Sequence, residues 1–208
     1  MLYLASQSPQ RATLLTRATV RFTIVPSSCN EEDISAPVPQ ALAIERARAK
    51  ARGAQGVPPG GVVLGADTVV ALGREVLGSP RDAAGAAAML SRLSGTTHQV
   101  LTAHCLWRAG TDTEAVALSM ARVTMRPLSA QEIADYAATG EGIGKAGGYA
   151  IQEKADRFVV EVQGAIETVI GLHVPTVAKL WREVASASEG TLPGYTGPTI
   201  SGPQKALK

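Results

Sequence analysis

Short apolar runs alternate with helix-forming stretches along most of this chain, and that alternation restricts it to an α/β fold. Leu2–Ala5 is an apolar run of strand length that enters the polar turn Ser6-Gln7-Ser8-Pro9-Gln10-Arg11. Ser8 stands at an N-cap position and Pro9 at the first position of a helix carrying Leu14 and Leu15. Phe22–Val25 reads as a second strand. Ala41–Arg52 reads as a helix with Arg46 and Lys50 four apart on one face. Val62–Ala66 is an apolar run broken by Gly65, which fits a central strand ending at Asp67 and Thr68. Ala83–Leu93 is an alanine-rich helix. His98–Trp107 and Glu114–Met125 are strand candidates with a turn over Gly110–Thr113. Ser129 and Glu132 have capping-box spacing at a helix start. Tyr149–Gln152 and Phe158–Gln163 read as strands, and Val174–Ala187 as a closing helix. The middle hairpin interrupts the alternation, which predicts a mixed twisted sheet with flanking helices instead of a regular barrel. Residues 188–208, rich in Gly, Pro, Ser and Thr, predict a disordered tail after a domain spanning 1–187.

Composition excludes several classes. With 45% hydrophobic and 18% charged residues over 208 positions, a core can form. A net charge of +2 lacks the clustered positive excess of a protein that binds nucleic-acid polymers. No apolar run approaches the ~18 residues that span a bilayer, so no membrane association is expected. Cys29 and Cys105 form neither a CxxC pair nor a disulfide framework, which points to a reducing, cytoplasmic compartment. Met1–Ser6 turns polar too soon for a signal peptide.

Four segments could carry chemistry. In Ser6-x-Ser8-Pro9-x-Arg11, two hydroxyls and backbone N–H groups at a helix start form an anion site to which Arg11 adds a fixed charge. The alternative is a capped helix with a solvated arginine. In Gly65-Ala66-Asp67-Thr68, a carboxylate at a strand end can hold Mg²⁺ or take a proton, or simply close a turn. Glu31, beside Glu32 and Asp33, could add a second carboxylate or belong to an exposed acidic loop. In Gly144–Gln152, small residues allow close approach to the backbone, Lys145 can meet a phosphate, and Gln152 can donate to and accept from a base edge. Lys145 is followed by Ala146, so this is not a Walker phosphate loop. His98, His104 and His173 show no zincin or deaminase spacing, and no G-x-S-x-G elbow is present.

Taken in order, Leu4–Leu15, Ala47–Ala51, Gly65–Val70, Met89–Gly95 with His98-Gln99-Val100, Lys145–Gln152 and Val169–Leu172 resemble the Maf family of nucleoside triphosphate pyrophosphatases. Each segment alone is soft, but the ordered set, covering residues 2 to about 185, is specific. The resemblance implies a mixed α/β fold similar to that of the inosine triphosphate pyrophosphatases, with two lobes around a cleft. It implies hydrolysis of a nucleoside triphosphate to the monophosphate and diphosphate with a divalent metal, Mg or Mn, and a homodimer. By position, Asp67 matches the family's proton acceptor. Glu31 would join it in catalysis and metal binding. Ser6, Ser8, Arg11, Lys50 and Lys145 would bind substrate, and Gln10, Thr68 and Gln152 would sort substrates. Thr68 and Gln152 resemble the branch acting on dTTP and UTP, since the 7-methyl-GTP branch typically has Asp at the position of Thr68; modified nucleotides, in a house-cleaning role, are the other substrate class the resemblance implies. Three positions depart from the pattern. Gln10 replaces the first of two arginines, Ser79 replaces a lysine before Pro80, and Gly144 replaces an aspartate. Loss of two positive charges leaves open a second reading, a non-catalytic nucleotide-binding regulator of cell division. The retained Asp67, Glu31 and Lys145 favour the enzyme.

Overall fold

A computed structural model describes residues 1–197. Its strands are β1 (Leu2–Ala5), β2 (Phe22–Val25), β3 (Val62–Leu72), β4 (Glu75–Leu77), β5 (Thr97–Arg108), β6 (Glu114–Met125) and β7 (Val159–Gln163). Its helices are α1 (Pro9–Arg17), α2 (Pro39–Arg52), α3 (Ala83–Leu93), α4 (Ala130–Ala138), α5 (Ile166–Ile170) and α6 (Val174–Val184). The strands form one seven-stranded sheet in the order β2-β1-β3-β5-β6-β7, with β4 also paired to β3. The sheet is mixed, as the alternation broken by a hairpin predicts. β1 runs parallel to β2 and β3, while β3–β4 and β6–β7 are antiparallel. Along β5 and β6, Arg108 N–H donates to Thr113 O and Ser119 Oγ–H to Thr102 O, and the Thr97 and Thr124 hydroxyls pair. Residue numbers fall on one strand as they rise on the other, so this pair too is antiparallel.

The chain divides into two compact units. Of the described residues, one comprises Met1–Asp67, Thr102–Ser119 and 171–197; the other comprises Thr68–Leu101 and Met120–Ile170. In the first unit, Leu2, Leu4, Leu15, Leu64, Ala47, Ala51, Leu180 and Trp181 are buried. β3 explains part of that packing. A Cβ on Gly65 would lie 2.2 Å from Ala47 O and 2.6 Å from Ala51 N, so the α2 backbone lies directly on the strand at this point. In the second unit, Leu90 and Leu93 of α3, Ile133 and Tyr136 of α4, Val123 and Met125 of β6, and Phe158 share one apolar cluster. The capping box of Ser129 and Glu132 starts α4 as its spacing predicts.

Three local expectations are corrected, and the N-cap reading of Ser8 is met in position only. Asp67 does not end its strand: β3 continues to Leu72 because Val70–Leu72 pairs with the short β4, which the sequence did not announce. Tyr149–Gln152 is not a strand. Gly147 and Gly148 have φ of 74° and 75°, the Ala150 N–H goes to the Tyr136 hydroxyl, and Glu153 N–H closes a turn on Ala150 O. Ser8 occupies the N-cap position, but its side chain makes no capping bond; its hydroxyl donates to Gln10 Oε1 at 3.1 Å. The tail does not begin at residue 188. Glu189 pairs with Arg108 and completes a capping box with Ser186, Gly190 O accepts from Trp181 Nε1, and Leu192 is buried. These contacts hold the segment on the first unit. Residues 198–208, where the rest of the expected tail falls, lie outside the described residues.

Candidate active site

The first unit collects charge in its interior. Arg11 on α1, Lys50 on α2 and Asp67 on β3 are all buried, at 9%, 9% and 3% exposure. Lys50 Nζ donates to Asp67 Oδ1 at 2.6 Å and pairs with Glu31 Oε1 at 2.8 Å. The helix–strand contact at Gly65 makes this possible, because Lys50 and Asp67 flank the point of closest approach. β1 pairs with β3 only as far as Ala5 opposite Gly65, so Asp67 lies just beyond the carboxyl end of the parallel β1. The sequence expected β3 to end at Asp67; instead it is β1 that ends there while β3 runs on. Glu31 stands in a one-turn 3₁₀ helix, Glu31–Asp33, started by Asn30, whose side chain accepts from Glu32 N–H.

Ser6 organises the turn between β1 and α1. Its hydroxyl oxygen accepts from Ser8 N–H at 3.2 Å and from Arg11 Nη1 at 3.1 Å. Arg11 Nε donates to Gly171 O at 2.9 Å. The guanidinium is therefore oriented by a hydroxyl from one side and a carbonyl from the other.

The electrostatics follow from burial. Desolvation pushes the Asp67 carboxyl above the ordinary aspartate value, against the pull of Lys50 and Arg11. Burial also raises Glu31, but Lys50, Arg46 and Arg11 outweigh it and hold Glu31 below its ordinary value. Burial lowers the Arg11 value, opposed by Asp67 and Glu31. Asp67 Oδ2 is buried and has no hydrogen-bond partner. A buried carboxylate oxygen left without a donor is costly, so this atom can accept a further hydrogen bond or coordinate a cation. Together with Glu31 it supplies hard oxygen donors of the kind Mg²⁺ or Mn²⁺ takes. Among the described residues no cluster of three His, Cys, Asp or Glu could hold a metal by itself. The donor set suits a cation that shares its shell with phosphate oxygens and water.

The chain matches the family model for Maf-like protein over residues 1–184. It belongs to the Maf family. Its similar relatives carry an enzyme name. A dTTP/UTP pyrophosphatase of an Anaeromyxobacter species is 41% identical over 204 residues, 97% of each chain. That of Myxococcus xanthus is 45% identical over 183 residues, 88% of this chain and 92% of the relative. That of Alcanivorax borkumensis is 42% identical over 188 residues, 88% of this chain and 96% of the relative.

Of the residues the motif singles out in this Maf protein, Ser6, Arg11, Glu31, Lys50 and Asp67 come together in the first unit. Ser8 and Gln10 pair with each other at the head of α1. Thr68, Lys145 and Gln152 belong to the second unit. There Lys145 is half-buried ahead of the turn Ala146–Gly148, and Gln152 is exposed. Ser79 lies in a loop stitched to the Lys145 segment, since Gly144 N–H donates to Pro80 O and Gly147 N–H to Gly78 O. Arg46, one turn before Lys50, has a buried Nε and acts on Glu31; the helical spacing of the two cations was its only signal. Gly171, through its carbonyl, gave no signal of its own beyond lying in the last motif segment. No helix of the described residues is long and apolar enough to cross a membrane. Burial pushes both thiols up, Cys105 to about 12, which makes neither a nucleophile.

Proposed function

We infer that this Maf protein hydrolyses nucleoside triphosphates to the monophosphate and diphosphate, with dTTP and UTP as its substrates. The observation that carries the reading is the buried Asp67, held by Lys50 on one oxygen and open on the other. An open, desolvated carboxylate beside fixed cations is suited to accept a proton from water as it attacks a phosphoryl group. Asp67 Oδ2 orients that water and takes its proton. Lys50 keeps the carboxylate in place. Arg11, locked by Ser6 and Gly171, presents a cation to the triphosphate and to the charge that develops on the leaving diphosphate. Bound Mg²⁺ or Mn²⁺ would neutralise phosphate charge, held by Asp67 and Glu31. Lys145 and Ser8 are assigned to phosphates, and Gln10, Thr68 and Gln152 to base selection, on their chemistry and motif positions. A homodimer in the cytoplasm completes the reading, in keeping with two free cysteines.

The test is diphosphate release from a panel of natural and modified triphosphates with Mg²⁺ or Mn²⁺. The expected result is turnover fastest with dTTP and UTP and products of monophosphate plus diphosphate. Tight nucleotide binding without diphosphate release from any member would instead establish the non-catalytic regulator. In a second comparison, Gln152→Ala shifts the UTP to GTP ratio of kcat/KM, whereas Lys145→Ala lowers both alike.

A further inference from the structure

A buried histidine outside the motif segments is linked to Arg11 by two hydrogen bonds and one short turn. Arg11 Nε donates to Gly171 O at 2.9 Å. Two residues later, His173 N–H donates to His104 Nε2 at 2.9 Å. His104 lies on β5 with 0% exposure. Gly171 has a φ of 124°, a conformation that favours glycine, so the direction of its carbonyl depends on how the turn is held. Leu172 is fully buried, and the His173 ring bonds Thr176 Oγ1 at 2.7 Å. Burial, with the charges of His173 and Arg11, depresses His104 to about 3, so its ring is neutral. A neutral imidazole whose Nε2 accepts a bond carries its proton on Nδ1. The ring is thus fixed as an acceptor toward the turn across the working pH range. An apolar side chain would fill the same interior without the cost of burying a polar ring, so the buried acceptor calls for a use.

We propose that His104 is a positioning residue for the reaction: by accepting the His173 N–H it fixes the Gly171–His173 turn, and through the Gly171 carbonyl it aims the Arg11 guanidinium at the triphosphate. The proposal rests on the reading above that Arg11 binds phosphates. It touches no substrate and transfers no proton.

The variants are His104→Leu, which keeps bulk and removes the acceptor, and His104→Gln, whose Oε1 reaches the place of Nε2. His104→Asn reaches only the place of Nδ1. Wild-type diphosphate release is measured first, since its absence on every triphosphate fails the functional reading and not the positioning one. Arginine side-chain NMR then reads the protein without substrate, following hydrogen exchange of Arg11 Nε–H. Expected in His104→Leu are about tenfold faster exchange of that proton and about a tenfold higher KM for dTTP, with kcat within about threefold. His104→Gln restores both. If His104→Leu fails to fold, His104→Asn takes its place as the loss variant. Unchanged exchange and KM in a folded loss variant would show that Leu172 packing alone holds the turn and would overturn the proposal. So would a folded His104→Gln that behaves like the loss variant.

Discussion

In the unit that contains β1 and β2, three ionisable side chains that work as charges, Arg11, Lys50 and Asp67, are buried at 9%, 9% and 3% exposure. In the unit that contains α3 and α4, the buried polar residues of the described chain are His98 and Thr168. His98 Nε2 pairs with the Tyr149 hydroxyl at 2.8 Å, and burial depresses His98 to about 4, so it is neutral. Two charged pairs of that unit, Arg92 with Glu75 and Arg126 with Glu132, lie toward solvent, and in a third Lys154 is exposed while its partner Glu141 is partly covered. Burying a charge costs several kcal/mol unless it is paired, and replacing a buried ion pair by apolar groups is often neutral or stabilising. The difference therefore separates two uses of a polar interior. In one unit the interior holds paired charges, of the kind the proposed chemistry would use. In the other a neutral hydrogen bond closes an apolar cluster.

Lys50→Met should break the comparison hardest. It leaves Asp67 buried without its nearest cation, and removing one partner of a buried pair typically costs about 3–5 kcal/mol. Turnover should also fall by about 100-fold or more, because the carboxylate is then neutralised or displaced. Calorimetry and diphosphate release read the two losses. Gly65→Ala comes next. Its Cβ would meet Ala47 O at 2.2 Å, so α2 must move off β3 and carry Lys50 with it. About 3 kcal/mol of stability should be lost, with a fall in turnover, measurable by urea unfolding and by assay.

Ending the chain at Ala187 should lower stability by about 3 kcal/mol, from the burial of Leu192 and the bonds to Arg108 and Trp181. A thermal melt would show a drop of roughly 6–12 °C. An unchanged melt would mean that residues 188–197 add nothing to the unit they cover.

The smallest effect expected of any single residue is on acid stability. His98 and His104 stay neutral when folded, at about 4 and about 3, while their unfolded values are near 6.5. Below about pH 6.5 the unfolded chain binds protons that the folded chain does not, so stability falls as pH falls toward 4. By about pH 5 each histidine should account for about 2 kcal/mol. Urea midpoints at pH 7 and pH 5 check the slope, and His98→Phe should remove about half of the histidine contribution.

The sequence made the alternation of strands and helices plain, and the boundaries of β1, β2, α3 and β6 follow it closely. Those elements carry their own signals: apolar runs, breakers and caps within a few residues. The continuation of β3 past Asp67 was not legible, because it depends on pairing with β4, whose three residues have no pattern. Tyr149–Gln152 has strand-like composition, but two left-handed glycines and the Tyr136 hydroxyl take its backbone bonds elsewhere. Asp67, Lys50 and Arg11 were legible as chemistry-bearing types in ordered motifs, and Glu31 only as one member of an acidic loop. That one lysine would bridge both carboxylates was not, since it follows from the packing of Ala47 and Ala51 on Gly65. His104 and His173 are 69 positions apart, a separation at which side-chain patterns carry no information.

The contrast between the two interiors is tested most directly by measuring dTTP turnover and melting temperature side by side for Asp67→Asn and His98→Phe. In Asp67→Asn, Lys50 keeps Glu31 as a partner and no buried carboxylate remains, so melting should stay within a few degrees of wild type. Its turnover should fall about 100-fold or more, roughly 3 kcal/mol of barrier. In His98→Phe, the Tyr149 hydroxyl loses its partner, so melting should drop, by about 1–3 kcal/mol of stability, while turnover measured below the melt stays near wild type. That crossed pattern is the predicted result. A folded Asp67→Asn protein with near-normal diphosphate release, or variants that lose turnover only in proportion to stability, would contradict the account.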